Sequence, residues 1–227
     1  MKDLYYVLMK NNLGNASTCR KLIKQGEIMV NGVVMTDHKY PVKFNDQIVY
    51  QQTILKAQPF TYIMLNKPKG YICANHDIKY PCVIDLIANK QCYCLGRLDK
   101  NTTGLLVLTD DHSLSKKLLL PSNHITKKYL VGTQKKITND LKEVFLQGII
   151  IDRNIKCLPA DFEMIDDFHC YLSISEGKYH QIKKMFKSLD NEVISLKRIE
   201  FGALKLDKQL VEGEFRDLTN QEILSLL

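Results

Sequence analysis

The sequence predicts an α+β protein in two domains. A small helix-and-sheet domain spans residues 1–57, and residues 58–227 form a larger domain with a mixed, mainly antiparallel sheet flanked by helices. Three observations carry this reading. Two short helical patterns and an Asn-Gly hairpin fill about the first 50 residues. A polar stretch, Gln51 to Pro59, then reads as a linker ending in proline. Beyond it, strand and helix patterns interleave without a repeated period, which argues against a regular parallel sheet.

Leu4, Val7 and Leu8 recur at helical spacing, and Asn11-Asn12-Leu13-Gly14 ends that helix, with Gly14 suited to a left-handed cap. Asn15 can cap a second helix with Cys19, Leu22 and Ile23 on its apolar face and Gly26 as its stop. Its other side carries Arg20, Lys21 and Lys24, a compact basic ridge. Ile28 to Met35 reads as a hairpin, because Asn31-Gly32 between apolar strands is the strongest short-range hairpin signal. Phe44 to Tyr50 adds a turn and a strand.

In the larger domain, Phe60 to Leu65 is a strand, Asn66-Lys67-Pro68-Lys69-Gly70 a turn with two lysines, and Tyr71 to Cys73 a second strand. The apolar run Leu105 to Leu108, bounded by Gly104 and by Asp110-Asp111, suits a strand buried on both faces. The polar stretch before it is then a loop anchored by a core strand, which is where catalytic groups concentrate. Arg97 and Asp99 would share one side of it, with Leu98 turned inward. By themselves these two residues fit an ordinary surface ion pair equally well. Further on come a helix from Ser113 to Leu120, a strand Tyr129 to Gly132, helical spacing over Ile137 to Gly148, and an alternating strand Cys170 to Ser175. A helix Gln181 to Ser188, a strand around Glu192 to Ile199 and a helix from Asn220 complete the chain.

Composition narrows the function. A hydrophobic fraction of 45% over 227 residues can bury a core, yet no apolar run approaches a bilayer span. Met1-Lys2-Asp3 lacks a signal-peptide pattern, so we expect a cytoplasmic protein with no membrane partner. The seven cysteines are scattered, and Cys92-Tyr93-Cys94 matches neither a zinc knuckle nor a redox motif; we read them as reduced thiols, mostly buried, with no metal. The net charge of +7 points to a polyanion. Residues 1–58 hold eight basic against four acidic side chains, while the rest holds 24 against 21, so the excess sits in the first quarter. There is no phosphate-binding glycine loop, dinucleotide fingerprint, Cys/His cluster or Gly-x-Ser-x-Gly elbow, which argues against a cofactor enzyme, a kinase or a serine hydrolase.

The N-terminal segment Leu22 to Gly32 with Asp46-Gln47-Ile48 resembles the RNA-binding module named for ribosomal protein S4. That module usually has Ser-Arg where this chain has Asn15-Ala16, so one phosphate contact is missing. Four further blocks stand in order: Asn66 to Gly70; Gly96-Arg97-Leu98-Asp99 with Thr102 to Thr109; Lys127 to Val131; and Glu176 to Phe186. Together they resemble the RsuA type of ribosomal RNA pseudouridine synthase, over essentially the whole chain. Asp111-His112 departs from the Asp-Gly often found there, which affects only a turn.

The resemblance implies isomerisation of a uridine in 16S ribosomal RNA, within a subunit-assembly intermediate, by a monomer that uses no cofactor. It places the essential carboxylate at Asp99, its cationic partner at Lys183, a base-packing tyrosine at Tyr129 and a base-replacing arginine at Arg97. We expect RNA contacts from Arg20, Lys21 and Lys24, from Lys67 and Lys69, and from Lys178, His180 and Gln181. Two alternatives stay open: action on 23S ribosomal RNA, and a non-catalytic RNA-binding factor in ribosome assembly.

Overall fold

A computed structural model describes residues 2–58 and 60–226. The chain forms two compact units that divide between Thr61 and Tyr62.

In the first unit, helices α1 (Leu4–Lys10) and α2 (Ala16–Lys24) pack on a four-stranded sheet of β1 (Ile28–Val30), β2 (Val33–Val34), β3 (Ile48–Tyr50) and β4 (Thr53–Leu55), in the order β2-β1-β3-β4. Leu4, Val7 and Leu8 of α1 meet Cys19 and Ile23 of α2 and Ile28, Val30 and Ile48 of the sheet in one apolar core. Asn15 caps α2 by accepting the Thr18 N–H at 3.0 Å. Asn31 and Gly32 both have positive φ, +53° and +80°, the signature of the tight hairpin turn expected there. Two expectations are corrected. The residue that turns left-handed directly after α1 is Asn12, at φ +63°, and Gly14, also at positive φ (+128°), follows two residues later. The polar stretch Gln51 to Pro59 is not all linker: Gln51 and Gln52 form a turn, and Thr53–Leu55 pairs with Ile48–Tyr50. Polarity misled there because β4 is an edge strand with its side chains largely in solvent. Pro59 lies outside the described residues.

The second unit is built on a nine-stranded sheet: β5 (Tyr62–Lys67), β6 (Tyr93–Leu95), β7 (Thr103–Thr109), β8 (Lys127–Thr133), β9 (Asp161–Met164), β10 (His169–Ile174), β11 (Val193–Phe201), β12 (Leu204–Lys205) and β13 (Phe215–Asp217). The main order is β9-β10-β8-β11-β7-β5-β13, with β12 beside β11 and β6 beside β7. Every pair is antiparallel except β11 with β7. The flanking helices are α3 (His112–Leu119), α4 (Leu141–Leu146), α5 (Gln181–Ser188) and α6 (Asn220–Leu226).

The centre of the sheet is β7, whose Leu105 to Leu108 are fully buried. One side of β7 pairs with β5 along its length. The other side is shared: β11 takes Thr103 and Gly104, and β6 takes Val107 to Thr109. Between the two the backbone needs another partner. Arg198 of β11 supplies it, its Nε donating to the Leu105 carbonyl at 2.7 Å. Gly104 is not the turn residue expected. It lies in β7 at φ +97°, where a Cβ would stand 2.2 Å from the Arg198 carbonyl oxygen, so two backbones meet where no side chain fits. Tyr71 to Cys73 form no strand either; Ile72 makes an isolated parallel bridge to Cys82.

Candidate active site

The loop from Gly96 to Thr102 joins β6 to β7. Gly96 turns it with φ +73°, and Thr102 closes it by donating its N–H to the Asp99 carbonyl at 3.0 Å. Leu98 points into the core, leaving Arg97 exposed and Asp99 half-buried. The loop is fastened to the end of β5 and the turn after it. The Lys67 ammonium donates to the carbonyls of Pro68, Lys100 and Thr102 at 3.0, 3.1 and 2.9 Å, and the Gly70 N–H donates to Lys100 at 2.9 Å. On its other side the Leu98 N–H donates to Cys73 Sγ at 3.3 Å.

Asp99 faces α5, whose apolar Ile182, Met185 and Phe186 are buried, leaving the other face toward the loop. Lys183 Nζ lies 2.6 Å from Asp99 Oδ2, and His180 Nε2 lies 3.4 Å from Oδ1. Each carboxylate oxygen therefore has its own nitrogen neighbour on one helical turn. Lys184, one residue on, points elsewhere and pairs with Asp152. His180 holds a left-handed φ of +53° at the start of α5, and its ring stacks on exposed Tyr179 at 3.8 Å between centroids. Tyr129, 7% exposed in β8, completes an open cleft also lined by Arg97, Asp99, Thr102, His180 and Lys183. Arg97 makes no ion pair among the described residues; the structure puts Asp99 with Lys183 instead.

Two residues expected at an RNA surface are not there. Lys67 is 0% exposed, its charge spent on three loop carbonyls, and burial holds its ammonium below the usual lysine range, with Cys73 and Asp99 opposing that shift. Gln181 is 3% exposed; its amide accepts the Lys178 N–H at 2.9 Å and donates to Glu176 at 2.8 Å, which braces the turn leading into α5. Lys178 is tied to the same Glu176, and His180 faces Asp99. Lys69 is exposed on its turn. Arg20, Lys21 and Lys24 are exposed along α2 of the first unit, with the Arg20 guanidinium 4.3 Å from the Tyr5 ring centroid. Cys73 supports the loop and Arg198 the strand that follows it, and sequence reasoning missed both. Their contacts are distant in the chain, and no local pattern marks them.

A half-buried carboxylate in an open cleft, paired with a lysine and lined by a buried tyrosine, in a chain that also carries a small basic unit, fits an RNA-modifying enzyme as a class. Comparison with known proteins gives the family. Residues 61–188 match the RNA pseudouridylate synthase family, and residues 7–48 match the S4 domain. The chain belongs to the RNA pseudouridylate synthase family. It is 36% identical, over 93% of each chain, to a Haemophilus influenzae protein named ribosomal small subunit pseudouridine synthase A. It is 35% identical, over 95% of each, to the Pasteurella multocida protein of the same name. A crystal structure of a pseudouridylate synthase, 33% identical, covers all of both chains with a TM-score of 0.71.

Proposed function

We propose that this protein converts one uridine of small-subunit ribosomal RNA to pseudouridine, with Asp99 as the catalytic carboxylate. The observation that carries the proposal is the Asp99–Lys183 contact at 2.6 Å on the floor of the cleft. The contact sets a positive charge against one oxygen of the carboxylate and orients it in the cleft.

The reaction breaks the bond from ribose C1′ to uracil N1 and forms one from C1′ to C5; C5 loses a proton and N1 gains one. Atoms and electrons balance within the nucleoside, so neither an electron carrier nor a second substrate enters. Ionised Asp99 stabilises positive charge at C1′ or bonds to it while the uracil turns. Tyr129, which lines the same cleft, packs against the base and assists loss of the C5 proton. The scissile bond is inaccessible within stacked RNA, so the nucleotide must swing out into the cleft, and exposed Arg97 can fill the place it leaves. The exposed ridge of α2 and Lys69 carry phosphate contacts. The relatives named for the small ribosomal subunit favour that RNA as substrate over 23S RNA. Such a substrate places the work in the cytoplasm.

Asp99→Asn keeps the size and polarity of the side chain but removes its charge. We expect it to fold and bind RNA while forming no pseudouridine, as read by carbodiimide-dependent reverse-transcription stops on ribosomal RNA. Substantial product from Asp99→Asn would overturn the assignment, and mapping RNA from cells with and without the protein identifies the uridine.

A further inference from the structure

The turn after β5 runs on into a loop, residues 73–81, whose tip the reaction at Asp99 does not use. Its neck is closed: the Ile72 N–H donates to the Pro81 carbonyl at 3.0 Å, and the Val83 N–H donates to the Ile72 carbonyl at 3.0 Å. From this neck the loop grips the Asp99 segment on both sides of the carboxylate. Cys73 Sγ accepts the Leu98 N–H at 3.3 Å, and the Lys100 ammonium sits 3.7 Å from the centroid of the Tyr80 ring. Cys73 and Tyr80 thus hold the two chain neighbours of Asp99.

The tip is shaped as firmly. Asp77 accepts the N–H groups of Lys79 and Tyr80 at 2.8 and 2.9 Å, and the Asn75 amide donates to the Cys92 carbonyl at 3.0 Å. Ile78 lies inside the Asp77 turn and is 98% exposed, more than any other large apolar side chain among the described residues. An isolated apolar side chain on a surface needs no explanation by itself. This one stands on a fixed turn among cations. Lys79 is beside it, Lys100 lies on Tyr80, and Lys69 belongs to the turn whose Gly70 N–H donates to the Lys100 carbonyl; all three lysines are exposed. Asp77 is the acid of the group, and its carboxylate is turned onto backbone N–H groups. A polyanion that also offers apolar faces matches both features: phosphates answer to the lysines, and the face of an unstacked base covers the isoleucine. Because the turn is fixed before binding, little conformational freedom is lost on contact.

We propose that Ile78 packs on an unpaired base of the RNA next to the uridine that enters the Asp99 cleft, with Lys79 and Lys100 on the flanking phosphates. Swinging a nucleotide out of the stack uncovers the faces of its neighbours, and an apolar wedge covers such a face. The grip on Leu98 and Lys100 sets the wedge at a fixed place relative to Asp99, so the tip reads the RNA beside the target and helps select which uridine enters. The siting beside the target rests on the function proposed for Asp99; RNA contact by the tip does not.

The test measures binding of a small-subunit ribosomal RNA transcript to the full-length protein, which needs no turnover. Ile78→Ser should weaken binding at least about fivefold with the salt dependence unchanged, whereas Lys79→Gln should lower the slope of log K against log salt by about 1. Ile194→Ser removes another exposed isoleucine and is the control; it should bind within about twofold of wild type. The Ile78→Ser protein should melt within about 2 °C of wild type, because the side chain it loses is in solvent. Wild-type affinity in Ile78→Ser, or an equal loss in Ile194→Ser, would overturn the contact. So would a loss seen on ribosomal particles and absent on bare RNA, which would assign the tip to a protein partner. When 2′-hydroxyl acylation maps the bound RNA, the protection lost in Ile78→Ser should adjoin the uridine that becomes pseudouridine, and a loss elsewhere would overturn the siting. Wild-type protein that binds RNA and forms no pseudouridine would fail the reading of Asp99, while the affinities still decide the contact.

Discussion

Replacing Lys183 with methionine tests whether the cation beside Asp99 serves chemistry or only the surface. Methionine nearly matches the length of the lysine stem, so packing on α5 is kept and the charge alone is lost. At 2.6 Å, two unit charges in a medium of effective dielectric about 20 would attract by roughly 6 kcal/mol. That is an upper bound, because the Lys183 and Asp99 side chains are 33% and 27% exposed and water screens them. A hydrogen bond to a charged group at such a site is worth about 1.5–3 kcal/mol. If Lys183 keeps Asp99 aimed through the transition state, Lys183→Met lowers kcat by roughly 10- to 160-fold. Lys184 is the internal control. It lies on the same helix, carries the same charge and pairs with Asp152 away from the cleft, so Lys184→Met should change kcat by less than about threefold. Single-turnover formation of pseudouridine on saturating ribosomal RNA reads the chemical step without binding. Equal losses in the two variants would refute the reasoning.

Gly104→Ala should destabilise the second unit by at least about 2–4 kcal/mol in urea unfolding, because its φ is +97° and its Cβ would stand 2.2 Å from a backbone oxygen; a cost under about 1 kcal/mol would mean β7 and β11 can separate freely. Asp111 caps α3 through the N–H groups of Ser113 and Leu114 and accepts the Tyr62 hydroxyl at 2.6 Å. Burial pushes its carboxyl up, but the bonds from Ser113, Tyr62 and Leu114 win and hold it below the usual carboxylate range. With the folded value depressed, its stabilisation is complete above the unfolded value and lost as pH falls through the folded one. Asp111→Asn should therefore flatten the decline of the melting temperature below about pH 4, and an unchanged acid profile would count against this role. RNA affinity should fall steeply with salt, and changing Arg20, Lys21 and Lys24 together to glutamine should reduce the slope of log K against log salt by about 2–3; an unaltered slope would remove the ridge from the interface.

Much of the fold is written in local pattern. Helix α5 occupies Gln181–Ser188, as its spacing of Ile182, Met185 and Phe186 implies, and the Asn31-Gly32 turn and the Asn15 cap follow from backbone chemistry confined to a few residues. Strand limits were less legible. Lys127 and Lys128 belong to β8 although both are polar, because pairing with β10 and β11 sets the limits of β8. The site divides in the same way. The Gly96 to Asp99 block marks the carboxylate, and the polar turn at Lys67 looks like an RNA contact until burial shows its ammonium gripping three carbonyls.

By itself the sequence determined most of the helices and the most apolar strands, where the positive charge collects and which carboxylate stands alone, since propensity, capping and periodicity act within a turn or two of the chain. Only the tertiary structure decided the partners. Asp99 meets Lys183 from 84 residues away, Arg198 fills the gap in β7 left between β11 and β6, and Cys73 meets the Leu98 N–H under the loop. Such contacts depend on where β7 runs between its neighbours, and strand order is a property of the whole sheet that no local stretch encodes.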